Sequence, residues 1–172
     1  MSRHHNNTYS LHNRIHAILF LVLISGTIIF LDKLSKYFVL QTLPNMYDQW
    51  QPFSGAGRLF RFIHITNSGA AFGMFDQHSN FFLVIAIVVS IVMIFYYLTL
   101  PIDNWITRFS FGLILGGAIG NLSDRIQHDG HVIDFIDIGF WPIFNIADIS
   151  IVTGVTILGI WILQFEEGQK TI

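Results

Sequence analysis

Two stretches of this chain carry the same polar pattern inside apolar surroundings: "GGAIGNLSDR" contains Asn121 and Asp124, and "FNIADIS" contains Asn145 and Asp148. The i to i+3 spacing puts both members of each unit on one helical face. An ionised Asp at the centre of a membrane helix costs about 2.5 to 3.5 kcal/mol, so each carboxylate needs a partner or a task. Two carboxylates sharing a low-dielectric site cannot both ionise easily; one keeps its proton and the other stays a base. That is the chemistry of an aspartic hydrolase. The base deprotonates a water, and the acid hydrogen-bonds the scissile carbonyl and later protonates the leaving amine. Asp148 lies near the positive end of its helix and Asp124 near the negative end of its own, which points to Asp148 as the base, with Arg125 beside Asp124 acting in the opposite sense. The alternative for each unit is a helix cap or a headgroup-level carboxylate, with Asn121 and Asn145 as helix-packing hydrogen bonders and Arg125 as an interfacial anchor.

The elements that must position these groups are membrane spans. The 172 residues are 52% hydrophobic and 12% charged, with a mean hydropathy of +0.56, against roughly 25% charged in an average soluble domain. Four apolar runs, Ile15 to Leu31, Phe81 to Leu100, Trp105 to Leu122 and Ile143 to Leu163, approach the ~20 residues that cross a bilayer. The first is read as a retained anchor rather than a signal peptide, because no clean A-x-A site follows it. The expected fold class is a membrane all-α protein: four transmembrane helices, a small extracytoplasmic β-sheet, and a mobile loop or short helix at the outer face. Residues 1–14 read as a polar tail, 15–163 as one membrane domain and 164–172 as a second tail.

The turn from Pro101 to Asn104 joins helices two and three as an antiparallel hairpin. The third and fourth runs are also antiparallel, so the exit of one and the entry of the other share a membrane face and the two carboxylates can meet. Gly112, Gly116, Gly117 and Gly120 allow the close backbone approach this needs. An even number of spans places both termini on one side; Lys and Arg are divided almost evenly between the sides, and Arg3 and Arg14 before the first helix favour an inside N-terminus. "RLFRFIHIT" (Arg58 to Thr66) and "HVIDFIDIGFW" read as short strands, and "QPFSGAG" as a turn.

Other chemistries fare worse. The chain has no Cys and a net charge of -2, which removes thiol catalysis and leaves no basic stripe for nucleic acid. HExxH and GxSxG are absent, and His4, His5, His12 and His16 make a poor metal cage. Ser35 beside Lys36 points in a different direction on a helix, whereas Asp32 and Lys36 can pair at i to i+4. Asp134 and Asp137 in "DFID" either support the site or solvate a strand. "TNSGAAFGMF", with Asn67, Gly69, Ala70 and Phe72, suits backbone approach to an extended peptide, or is a tight turn. A carrier relaying protons or cations through paired Asp residues is the competing class, although carriers usually show repeats and broken helices at mid-membrane. A non-enzymatic scaffold is a further alternative.

The ordered set "LDKLSK", "TNSGAAFG", "GGAIGNLSDR", "VIDFID" and "FNIADIS", laid over four spans from about Ile15 to Leu163, resembles the bacterial lipoprotein signal peptidases, or signal peptidase II family. The resemblance implies a monomeric aspartic peptidase of the bacterial cytoplasmic (inner) membrane, with cytoplasmic termini and a site near the outer face. Its substrates would be diacylglyceryl-modified prolipoproteins, cut just before the lipidated Cys beside membrane lipid. No metal or cofactor is implied, and globomycin-type cyclic peptides are expected to inhibit. The resemblance carries the catalytic pair to Asp124 and Asp148, and the supporting roles to Asp32, Lys36, Asn67, Asn121, Arg125, Asp134, Asn145 and Ala147. Gating by the Asn67 to Phe75 loop is a further expectation.

Overall fold

The computed structural model describes residues 11–53, 55, 59–68, 79–99 and 104–170. Helix α1 runs Leu11–Thr42, α2 Ser79–Thr99, α3 Trp105–Gln127 and α4 Ile146–Lys170, with strands β1 (Gln49–Trp50), β2 (Arg61–Asn67) and β3 (Val132–Asp137). Among the described residues, three helices are long and apolar enough to cross a membrane: Leu11–Thr42, Phe81–Thr99 and Ile146–Gln164. Their outer faces leave large side chains such as Leu23, Phe30, Ile91, Phe95 and Val152 exposed. Surface of that kind is stable against lipid rather than water.

Helix α3 is built the other way round. Ser110, Gly112 to Ala118, Gly120, Asn121 and Asp124 are buried, because the helix packs against α1, α2 and α4. Its surroundings are protein, so its sequence needs fewer large apolar groups. Glycine sets the spacing. A Cβ on Gly116 would meet the Ser25 backbone and Ile28 of α1, one on Gly117 would collide with the Ala147 carbonyl of α4, and one on Gly120 would lie 2.9 Å from Asp32 Oδ2 and 3.3 Å from Ala147 Cβ. Helices α1 and α4 can therefore both close onto α3 near Gly120. Asn104 caps the start of α3, accepting the Ile106 N–H at 2.7 Å. At the other end Asp129 and Gly130 take φ of 50° and 90° and turn the chain into β3.

Helix α1 continues well past the expected end at Leu31, through 32 residues or about 48 Å. The charges that lower the hydropathy after Leu31, Asp32, Lys33 and Lys36, are paired inside the protein and do not end the helix. Helices α3 and α4 likewise extend beyond Leu122 and Leu163, to Gln127 and Lys170.

The sheet is antiparallel in the order β1-β2-β3. Ile65 faces Asp134 and Asn67 faces Val132, with an irregularity in β2 between Phe62 and Ile65. The two-residue strand β1 was not expected; it pairs Gln49 with Ile63 and Trp50 with Phe62. Every residue of β3 is buried. Phe135 and Ile136 pack on Val39 and Leu43, with Phe60, Phe62, Phe144 and Ile146 around them, which seats the sheet on the end of α1. A second cluster, Leu21, Tyr97 and Leu115, joins α1, α2 and α3, and the Tyr97 hydroxyl donates to the Ala17 carbonyl at 2.6 Å.

Candidate active site

Where α1, α3, α4 and β3 converge, four aspartates are buried or half-buried, and their surroundings divide them into two groups. In the first, Lys36 Nζ lies 2.7 Å from Asp32 Oδ2 and 2.6 Å from Asp124 Oδ2, with the Asn121 side-chain oxygen at 3.4 Å. Lys33 reaches the other oxygen of Asp124 at 2.8 Å and the Gln127 side chain at 3.0 Å. Asp32, Asp124 and Lys36 are almost wholly buried. Asp124 also accepts the Ile133 N–H at 3.3 Å, tying β3 to α3. Asp32 Oδ1 accepts the Ala147 N–H at 3.1 Å, so a carboxylate from α1 sits on the positive end of α4. Two carboxylates and two ammoniums make this group neutral.

The second group forms around Asn145. Its side-chain nitrogen donates to Asp134 Oδ1 at 2.7 Å and to the Asn121 side-chain oxygen at 3.0 Å. Its side-chain oxygen accepts the Asp148 N–H at 2.9 Å, while Asp148 Oδ2 accepts the Asn145 N–H at 3.3 Å. That reciprocal pair is a capping box at the start of α4. Asn121 donates to Asp148 Oδ1 at 2.7 Å, and Asn67, at the end of β2, donates to Asp134 Oδ2 at 2.8 Å. No lysine or arginine forms an ion pair with Asp134 or Asp148 among the described residues. Burial, reinforced by the charge of Asp148, lifts the Asp134 carboxyl from 3.8 to about 7, against the opposing pull of Asn67, Lys36 and Asn145. Asp134 is fully buried and Asp148 half-buried.

Arg125 lies close enough to Asp148, Asp134 and Asp124 for its charge to act on all three. It donates to the Asn121 carbonyl at 3.3 Å, and its buried Nε has no hydrogen-bond partner.

Of the sequence-predicted residues, Asp32, Lys36, Asn67, Asn121, Arg125, Asp134, Asn145, Ala147 and Asp148 converge here. Ser35 does not; its hydroxyl donates to the Asp32 backbone carbonyl at 2.8 Å. Gly69, Ala70 and Phe72 lie outside the described residues, as does most of the loop expected to gate the site. Asp124 lies in the lysine group, which Asn121 joins to Asp148 by meeting both Lys36 and Asp148, and Asp134 shares the Asn145 scaffold with Asp148. Lys33 was missed, although its i to i+3 spacing from Lys36 puts both ammoniums on one face of α1. Among the described residues, no group of three or more His, Asp or Glu side chains could hold a metal ion.

Residues 24–164 match the family model described as signal peptidase (SPase) II. The chain is 40% identical over 153 residues to the lipoprotein signal peptidase of Caldanaerobacter subterraneus subsp. tengcongensis, covering 87% of this chain and 99% of that one. It is 37% identical over 150 residues to that of Moorella thermoacetica, covering 87% and 95%. A solved structure described as a bacterial membrane enzyme, obtained by the in meso method, superposes with a TM-score of 0.75 at 29% identity, covering 84% of this chain and 87% of its own. With its fold, its polar centre and these relatives in agreement, this chain belongs to the signal peptidase II family.

Proposed function

We propose that this protein is an aspartic endopeptidase that cuts diacylglyceryl-modified prolipoproteins just before the lipidated Cys, with Asp134 and Asp148 as its acid and base. The observation that carries this is the single side chain of Asn145, which holds Asp134 with its nitrogen and the first turn at Asp148 with its oxygen. Asp124, paired with two ammoniums, is a poor acid or base by comparison and is read as part of the scaffold.

Asp134 keeps its proton near neutrality, which suits it to hydrogen-bond the scissile carbonyl oxygen. Asp148, held by Asn121, takes a proton from a water between the two carboxyls as that water attacks the carbonyl carbon. The proton of Asp134 passes to the carbonyl oxygen. Asp148 then protonates the leaving nitrogen as the C–N bond breaks, and the collapsing intermediate returns a proton to Asp134. Proton inventory and starting state are both restored. Arg125 supplies positive potential beside the pair.

The setting in this reading is the bacterial cytoplasmic membrane. Helix α3 is a fourth crossing helix, shielded from lipid by its neighbours, with both termini cytoplasmic and the site and sheet at the outer face of a monomer. A substrate tethered by acyl chains arrives at that depth, and globomycin-type peptides occupy the same cleft. The test is cleavage in detergent of a diacylglyceryl-modified precursor and its unlipidated form by wild type, Asp134→Asn and Asp148→Asn. Loss of turnover in both folded variants, with the unlipidated precursor left uncut by wild type, is the expected result. Near-normal cleavage by either variant overturns the two-aspartate assignment.

A further inference from the structure

We propose that the connection between β3 and α4 is a lipid-inserting finger, whose Phe140 and Trp141 side chains enter the bilayer at the level of the headgroups and upper acyl chains. Phe140 is 85% and Trp141 62% exposed, and large apolar groups left out together on a surface mark an apolar partner. The loop that carries them is fastened at both ends. At its start, Asp137 Oδ1 accepts the Gly139 N–H at 2.7 Å and its Oδ2 accepts from Arg61 Nε at 2.6 Å, while Gly139 takes a φ of 80° that turns the chain. At its end, the Phe144 N–H donates to the Ile136 carbonyl at 3.1 Å, and the Phe144 carbonyl accepts the Phe135 and Ile136 N–H groups at 3.1 and 2.8 Å. Both fastenings lie on the buried strand β3, and the two aromatic residues stand between them.

Three observations select lipid as the occupant. The ten residues from Ile138 to Ala147 carry no charge, and the carboxylate before them, Asp137, is paired with Arg61, so insertion strands no ion. The finger runs directly into α4, whose apolar crossing segment begins at Ile146. An exposed stripe of Ile149, Val152 and Val155 continues along that helix, so the finger adjoins surface that already needs lipid. Its composition also fits, because Trp is favoured at the membrane–water interface. Exposure alone is a weaker sign: Trp50 is also 54% exposed, yet it stacks on Phe62 and lies between the exposed Gln49 and Gln51. Once inserted, the finger holds the start of α4, with Asn145 and Ala147, at a fixed depth.

The chain has no Cys, so Phe140→Cys supplies a single thiol for a nitroxide label in the full chain, reconstituted in nanodiscs of phosphatidylethanolamine and phosphatidylglycerol. Power-saturation EPR then compares the label's exposure to oxygen, which concentrates among acyl chains, with its exposure to a water-soluble nickel chelate. Val152→Cys and Gln51→Cys are the lipid and water references, and every variant is first checked for a wild-type Tm. At an insertion depth of about 5 to 10 Å the oxygen-to-nickel ratio at position 140 is expected to exceed that of Gln51→Cys by about threefold or more and to approach that of Val152→Cys. Trp141→Cys, which leaves Phe140 in place, is expected to behave in the same way. A ratio like that of Gln51→Cys at either position overturns the proposal. Protection from both reagents also overturns it, because the finger is then covered by protein, as in a second copy of this chain.

Discussion

The end of α3 and the start of α4 each present an aspartate three residues after an asparagine, yet the two regions differ in charge. At the end of α3, Asp124 is closed off by Lys33 and Lys36 and ties α1, α3 and β3 together. At the start of α4, Asp148 is held by amides alone, with Asp134 beside it on the same asparagine. Ammonium partners favour the ionised carboxylate, whereas amide partners bias its protonation less. The local pattern is identical in both, and what separates them comes from a helix more than 80 residues earlier in the chain.

The contrast is broken or sharpened most strongly by isosteric amides. Asp134→Asn and Asp148→Asn are each expected to lower kcat by about 10³-fold or more, in the upper range for loss of an acid or base. Asp124→Asn is expected to cost about 3 to 5 kcal/mol of stability because two ammoniums lose their partner. Tm measured in the same detergent separates the variants; equal loss of stability in all three would erase the distinction.

A pH series comes next in size. Asp134 titrates at about 7 in the folded protein and from 3.8 without its surroundings, so between those values the folded state binds more protons and stability falls as pH rises. Asp134→Asn removes that fall. Its Tm is expected to match wild type near pH 4 and to exceed it by several degrees at pH 8; parallel curves would contradict the raised carboxyl.

Smaller effects test the scaffold. Gly120→Ala pushes a methyl to 2.9 Å from Asp32 Oδ2, an overpacking of about 1 to 3 kcal/mol, visible as a lower Tm. Asn104→Ala removes the cap of α3, remote from the site, and should cost about 1 kcal/mol with kcat unchanged. A kcat loss there would mean that the two ends of α3 are coupled.

Hydropathy and turn chemistry made the four helices and two of the strands legible from the residues. The far end of α1 was not legible, because a charge in the sequence lowers hydropathy whether or not a partner awaits it, and Asp32, Lys33 and Lys36 find theirs on α3 and α4. From the residues alone Asp134 was an ambiguous member of "DFID", given a supporting role by the resemblance. Alternation there suggested one solvated face, but β3 is covered on both sides, by β2 with α1 and by the turn into α4, so its polar residues are buried too. The two Asn-x-x-Asp units lie at the helix ends that meet, while the lysines beside Asp124 were not legible from the local pattern.

The one-turn spacing of Asp32 and Lys36 has a consequence for biosynthesis. Asp32 meets Ala147 across 115 positions of sequence, so when α1 emerges from the ribosome neither α3 nor α4 exists. A lone carboxylate would oppose insertion. Lys36 is already four residues away, and α1 enters the bilayer carrying its own counter-ion, which is later shared with Asp124 when α3 docks.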